Sequence, residues 1–246
     1  MRHILLSVVF IAAFVIPVSS ETDQSKTPER DNETIAVVLG KKITVKDKDK
    51  LNGMIFGALL EQYAKENKIE PTEAELDAFV EKTEEMRKQQ QADFEKDRKK
   101  LTQELESSSL TEREKKEKNE QLKTIENILK ITKEAEERTK GMDDKMLTMK
   151  RNMAQHFVKT WKINKSLYEK YGGRIIFQQA GIEPLDAYRQ FLKEQEKKKA
   201  FQILNKDYEA SFWKYFIDDS MHTFYSKDDG TNLMKTPWWL MDKPLK

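Results

Sequence analysis

Cysteine is absent from the chain, so no disulfide and no thiolate metal site can hold the fold, which must rest on burial alone. Histidine is nearly as scarce, and only His156 and His222 lie beyond the first few residues. Neither has a ligand-type residue four positions on, the spacing that a helical zinc site needs. The Gly-x-Ser-x-Gly elbow and glycine-rich phosphate loops are missing too, and with them the usual parts of nucleophilic and nucleotide chemistry. Asp218-Asp219 and Asp228-Asp229 lack the spacing of a calcium loop. The chain also lacks an excess of one charge: Lys and Arg number 45 against 43 Asp and Glu, which offers nucleic acid no general attraction. No cofactor, no metal and no nucleic acid is expected.

There is one long apolar run. Ile4 to Ile16 is uncharged with only Ser7 polar, short for a membrane span but suited to the core of a signal peptide. Val18-Ser19-Ser20 supplies the small residues of a cleavage site. We therefore expect residues 1–20 to be removed on export to the periplasm, leaving no stable membrane insertion, with an uncleaved anchor as the alternative. Residues 21–33 are polar, contain Pro28 and show no apolar period, the pattern of a tether.

Eight glycines and six prolines among 246 residues, 36% of them charged, point to long solvated helices. Between Pro71 and Gly141 neither occurs. Thr72 with Glu75 and Thr111 with Glu114 read as capping boxes, which predicts helices over 72–106 and 111–140 joined at Ser107-Ser108-Ser109. At 1.5 Å per residue each reaches roughly 45–50 Å. Folding them antiparallel sets Phe94 against Leu122, Met86 against Ile128 and Leu129, and Leu105 against Leu110. That seam is thin. From Glu81 to Glu120, 23 of 40 residues are charged, and burying so many charges costs more than the few apolar side chains return. The segment 72–140 must project as an arm.

Ahead of it, Ile35 to Leu39 reads as a strand that turns at Gly40-Lys41-Lys42, and Thr44 with Asp47 opens a helix to Asn67. That helix carries a stripe of Leu51, Ile55, Leu59, Leu60 and Tyr63, widened by Phe56. After the arm, Asp143 to Tyr171 forms a helix whose apolar face begins Met146, Met149, Met153, Phe157. Methionine is unbranched and polarisable, so such a face can repack around varied partners, or simply cover the first helix as core. Gly172-Gly173 ends it. A short strand over 174–177, helices over 185–199 and 206–225, and a tail with Pro237-Trp238-Trp239 complete an aromatic-rich region, 172–246, read as a module of its own.

The order IAVVLGKKIT, a helix ending LLEQYAKENKIEP, and then TEAELDAFVEK resembles the N-terminal domain of SurA-like periplasmic chaperones and of the peptidyl-prolyl isomerases built around it. Val38, Gly40, Ile43 and Thr44 match the hairpin of that pattern. Leu59, Leu60, Ile69, Thr72, Glu75, Leu76 and Asp77 match its helix end and the next helix start. The resemblance covers Ile35 to Glu85, about a fifth of the chain. It implies a mainly α, SurA N-terminal-like helical domain over 34–171, with a short β-hairpin at its start and a long projecting antiparallel helical hairpin. It further implies peptide binding. The family's isomerase activity resides in a parvulin domain that 172–246 does not match, so no enzymatic activity is expected.

The expected function is ATP-independent binding of unfolded or extended exported polypeptides. The expected site is an apolar cleft lined by Phe56, Leu60, Phe79, Met146, Met149, Met153 and Phe157. The alternative is an envelope adaptor whose hairpin forms a homodimer or docks a dedicated partner; a third reading is an enzyme built around His222.

Overall fold

The computed structural model describes residues 32–106, 110–178 and 181–241. The expected signal peptide, residues 21–31 of the expected tether and the Ser107–Ser109 turn lie outside the described residues. The chain is mainly α, with seven α-helices and five short strands among the described residues.

The chain enters through β1 (Thr34–Val38) and β2 (Lys41–Thr44), an antiparallel hairpin with Val38 opposite Lys41 and Val37 opposite Lys42. Its turn is Leu39-Gly40, one residue earlier than expected, with φ of 49° and 77°. Positive φ at both turn positions matches the twist of the flanking strands. A 3₁₀ segment, Val45–Lys50, follows before α1 (Leu51–Glu66) begins. The helix expected from Val45 is delayed because Lys46 to Lys50 holds no apolar side chain to bury. The Thr44 hydroxyl also turns to Asp47 Oδ2, 3.3 Å away, and leaves the backbone uncapped.

The arm is α2 (Glu73–Leu105) and α3 (Glu112–Thr139). Both capping boxes form: Thr72 and Thr111 accept from the amides of Glu75 and Glu114, whose carboxylates bind back to the threonine N–H at 2.7 and 2.9 Å. The seam is as thin as its sequence implies. α3 has no buried side chain, and the helices meet through half-buried Phe94, Leu101, Leu122, Ile125 and Leu129. Met86, expected in that seam, is instead 46% exposed. Arg87–Glu136 and Lys118–Glu104 bridge the helices, with each α3 partner lying nearer the arm's root than a symmetric fold about the serines would place it.

α4 (Asp143–Tyr171) runs back along α2 and stops at Gly172, φ 66°. Gly173, φ 96°, is required by space as well as by conformation: a Cβ there would sit 2.4 Å from Asp186 Cβ. Next come β3 (Ile176–Gln178) and β4 (Gly181–Glu183), paired antiparallel, then α5 (Leu185–Lys197) and β5 (Phe201–Ile203). β5 pairs antiparallel with β1 and completes a three-stranded sheet ordered β2-β1-β5. α6 (Lys206–Ile217) is shorter than the expected 206–225. Asp218 Oδ1 accepts the Ser220 amide at 3.1 Å and starts a 3₁₀ turn, and Phe224 bridges to Ile176. α7 (Lys227–Lys235) then forms behind a Ser226 cap, and Trp238–Leu240 closes the described chain as a single 3₁₀ turn.

The main core gathers Ile35, Ile43, Ile55 and Leu59 with Phe191, Leu192, Phe201, Phe212 and Phe216. Buried side chains from both sides of the boundary expected near 171 thus share one core. Arg174 fastens this part from outside, reaching Asp186 and Asp219 at 2.9 and 2.7 Å with its guanidinium 4.3 Å above the Phe224 ring.

Candidate functional site at the root of the arm

Two separate neighbourhoods receive the side chains expected to line one cleft. Phe56 is half-buried with its ring 4.6 Å from Tyr188 and 5.3 Å from Phe216, edge to face. Leu60 packs against the same core. Both pack on the body, set apart from Phe79 and Phe157. A stripe on a helix shows which face is apolar but not what covers it.

Phe79 and Phe157 do come together. Leu76 and Phe79 face inward on the first turns of α2, and Ala154, Phe157 and Val158 lie one turn apart on α4, so the two stripes close on each other. The Phe79 and Phe157 rings stack at 5.7 Å. Their outer side, however, is taken. Trp239 meets Phe79 at 5.0 Å and Trp161 at 6.0 Å, and Trp238 meets Phe79 at 6.0 Å and Phe157 at 6.5 Å. Phe79 and Trp239 are only 2% and 4% exposed. The lower part of the expected cleft is thus filled by the chain's own tail, and the tryptophans are the residues that sequence reasoning missed. The one signal was the Pro-Trp-Trp triplet, which has no helical period to show where it lands.

Higher on α4 the surface stays open. Met146, Met149 and Met153 are half-buried, and the neighbouring Met142 and Leu147 are 47% and 49% exposed. A ladder of charge marks their level on the arm. Glu84 accepts from Arg87 at 2.7 Å and from Lys150 at 2.9 Å, and Arg87 reaches on to Glu136 at 2.7 Å, so α2, α3 and α4 are laced together at the root. The hydrogen bond from Arg87, and after it that from Lys150, hold the Glu84 carboxyl down at about 2 against the opposing effect of burial. Further along, Lys159 spans Glu61 and Glu70 at 2.8 and 2.9 Å, and Lys162 binds Glu75 at 2.8 Å.

This fixes a pH dependence. The folded value for Glu84 lies below the roughly 4.3 of a free glutamate, so its contribution is complete above that value and is lost as pH falls toward about 2. Thermal unfolding followed by circular dichroism between pH 5 and pH 2.5 should show a falling midpoint, and Glu84→Gln should flatten that fall. An identical fall in Glu84→Gln would remove the ladder from the account.

Two open hollows stand out on the described surface. One is lined by Lys130, Lys133, Glu134, Glu137 and Arg138, the other by Gly141 to Lys145. Both are formed largely by charged side chains, and neither is lined by Phe56, Leu60, Phe79, Met146, Met149, Met153 or Phe157. His222 directs Nε2 to the Tyr215 carbonyl at 2.6 Å and packs edge-on against the Tyr215 and Phe224 rings. Beside it, burial raises the Glu183 carboxyl, with the Tyr215 hydroxyl donating to it at 2.6 Å. No nucleophile is assembled in those contacts. His156 is exposed, 5.8 Å from the Phe157 ring. Among the described residues no group of three or more His, Asp or Glu is arranged to hold a metal ion, and no helix is long and apolar enough to cross a membrane. Comparison with protein-family models, with curated proteins and with solved structures yields no match.

Proposed function

We propose that the protein is a non-catalytic, ATP-independent binder of unfolded or extended polypeptides in a bacterial envelope, with the methionine-bearing surface at the root of its arm as the contact site. One observation carries this reading. Where α4 leaves the arm, Met142 and Leu147 remain about half exposed beside half-buried Met146 and Met149, while the equivalent side chains lower on the same helix are covered. Exposed apolar clusters rimmed by charge are a common mark of association surfaces, and thioether side chains adapt to varied shapes at little cost. A surface of this size gives weak, reversible affinity at about 25 cal/mol per Å² buried, less the cost of ordering the partner. The resemblance of residues 35–85 to SurA-like chaperones and the export signal read in residues 1–20 agree with this reading.

The test is direct. The purified protein should suppress aggregation of a urea-unfolded outer-membrane β-barrel protein on dilution at stoichiometric ratio. Met142→Lys combined with Leu147→Lys, two exposed changes that leave the fold intact, should reduce that suppression by tenfold or more. A protein that leaves the aggregation curve unchanged sinks the reading.

A second reading has its own support. A helix of 28 residues without one buried side chain is unusual unless it bridges through solvent or meets another surface, so the arm also suits an adaptor that dimerises. A mass that rises with concentration by light scattering, together with no effect on aggregation, would favour it.

A further inference from the structure

The tail that fills the lower site is held in an uneven way. Its backbone bonds turn inward: Thr236 N–H to Asn232 O, Leu240 N–H to Pro237 O and Met241 N–H to Trp238 O. What seats it on the arm is aromatic, with Trp239 set among Leu76, Phe79, Ala154 and Val158, and Trp238 lying across Phe79 and Phe157. The attachment behind it is short, since α7 ends at Lys235 and Pro237 redirects the chain. Contacts of this kind are non-directional and depend on apolar area. Another segment with comparable side chains can make the same contacts, against the advantage that tethering gives the tail, whereas a strand locked by backbone pairing would not be displaced so readily.

We infer that residues 236–241 are a displaceable strap, an internal occupant that closes the lower half of the polypeptide site until an incoming chain lifts it off the Phe79 and Phe157 rings. The inference rests on the polypeptide-binding reading above and adds a regulatory element to it. The full chain holds its site half closed. A client engages Met142, Leu147 and the methionines first, then extends its contact down α4 as the strap leaves. The apparent affinity of such a site is lowered by the fraction of molecules in which the strap is seated. Anything that loosens the strap should therefore tighten binding, the reverse of the usual effect of deleting a large aromatic from a binding protein.

The experiment uses the full chain. Fluorescein-labelled, reduced and carboxymethylated lactalbumin, which stays unfolded, serves as probe in a fluorescence-anisotropy titration of the parent and of Trp238→Ala, with circular dichroism as the check on folding. Trp238→Ala should bind the probe at least tenfold more tightly, and a synthetic peptide of residues 236–241 added in trans should weaken that binding again. Hydrogen exchange on the parent supplies a readout independent of any substitution: saturating probe should raise deuterium uptake in 237–241 while lowering it around Phe157. Equal affinities, with strap exchange unchanged by probe, would overturn the strap and leave the binding reading standing. Absence of binding by both proteins would overturn the binding reading and the strap together.

Discussion

Phe79→Ala should lower the unfolding free energy by about 3–5 kcal/mol, the cost usual for removing a buried phenylalanine. Phe79 is the point where the arm joins the rest of the molecule. Its ring touches Phe157 on α4 and both Trp238 and Trp239 of the tail, and it is 2% exposed. Truncation removes one partner from three aromatic pairs, so the cavity it leaves cannot close by a single rotamer change. For a chain of this length each kcal/mol corresponds to roughly 2–4 °C in the midpoint, and the loss should be plain in a urea titration. Tryptophan emission should move to the red in the folded variant, because Trp238 and Trp239 lose their seat. Met86→Ala is the matched control: seven residues on along the same helix and 46% exposed, it should stay within about 0.5 kcal/mol. A Phe79→Ala variant as stable as that control would mean that the root is not held by this cluster.

Asn164 should show the second large effect. It is 2% exposed, donates from Nδ2 to the Ile182 carbonyl at 2.8 Å and accepts the Tyr188 hydroxyl at Oδ1 at 2.6 Å. One side chain thereby ties α4, β4 and α5 inside the body. Asn164→Ala strands a buried hydroxyl and a buried carbonyl, each costing about 1–3 kcal/mol, so a loss of about 2–5 kcal/mol is expected. Tyr188→Phe removes one donor and should cost about 1–2 kcal/mol by the same reasoning. The double variant should lose clearly less than the two losses added, because the second change no longer strands a partner. Strict additivity would show that the two groups do not depend on each other. Burial, and after it the nearby Glu183 carboxylate, already drives the Tyr188 phenol well above its ordinary range. The hydroxyl therefore stays a donor throughout the accessible pH range.

How far these features could be foreseen depends on how local their causes are. The capping boxes of Thr72 and Thr111 and the α4 limits near Gly141 and Gly172 were legible, because each is decided within one turn of chain. The projecting arm was legible as well, since charge density alone forbids burying it. β4 and β5 were not: a strand of three residues shows no alternation, and the partner that stabilises β5 is β1, on the far side of the arm. The helix expected through 218–225 overran because Asp218 caps a new turn, a side-chain choice that competes with helix continuation. At the site, helical spacing put Phe79 and Phe157 each on an apolar face, but that the two rings stack on each other is known only from the fold. That Phe56 packs on Tyr188 and Phe216 could not be foreseen, because those partners are distant in sequence. Where Trp238 and Trp239 lodge is a tertiary fact with no periodic trace.

β1 sits between a neighbour made immediately after it and one made more than 160 residues later. A chain emerging from its N-terminus can form the β1–β2 hairpin at once, but one edge of β1 stays open until Phe201–Ile203 arrives, with the whole arm intervening. Bringing such remote ends together in an unstructured chain slows assembly. Here α2 and α3 turn back on themselves and deliver the chain close to where it departed, so the excursion adds little to the distance that must be closed. The arm's reach is for that reason free of the body's architecture, and paired turns gained or lost at its far end would alter how far the protein extends while leaving its sheet and core as they are.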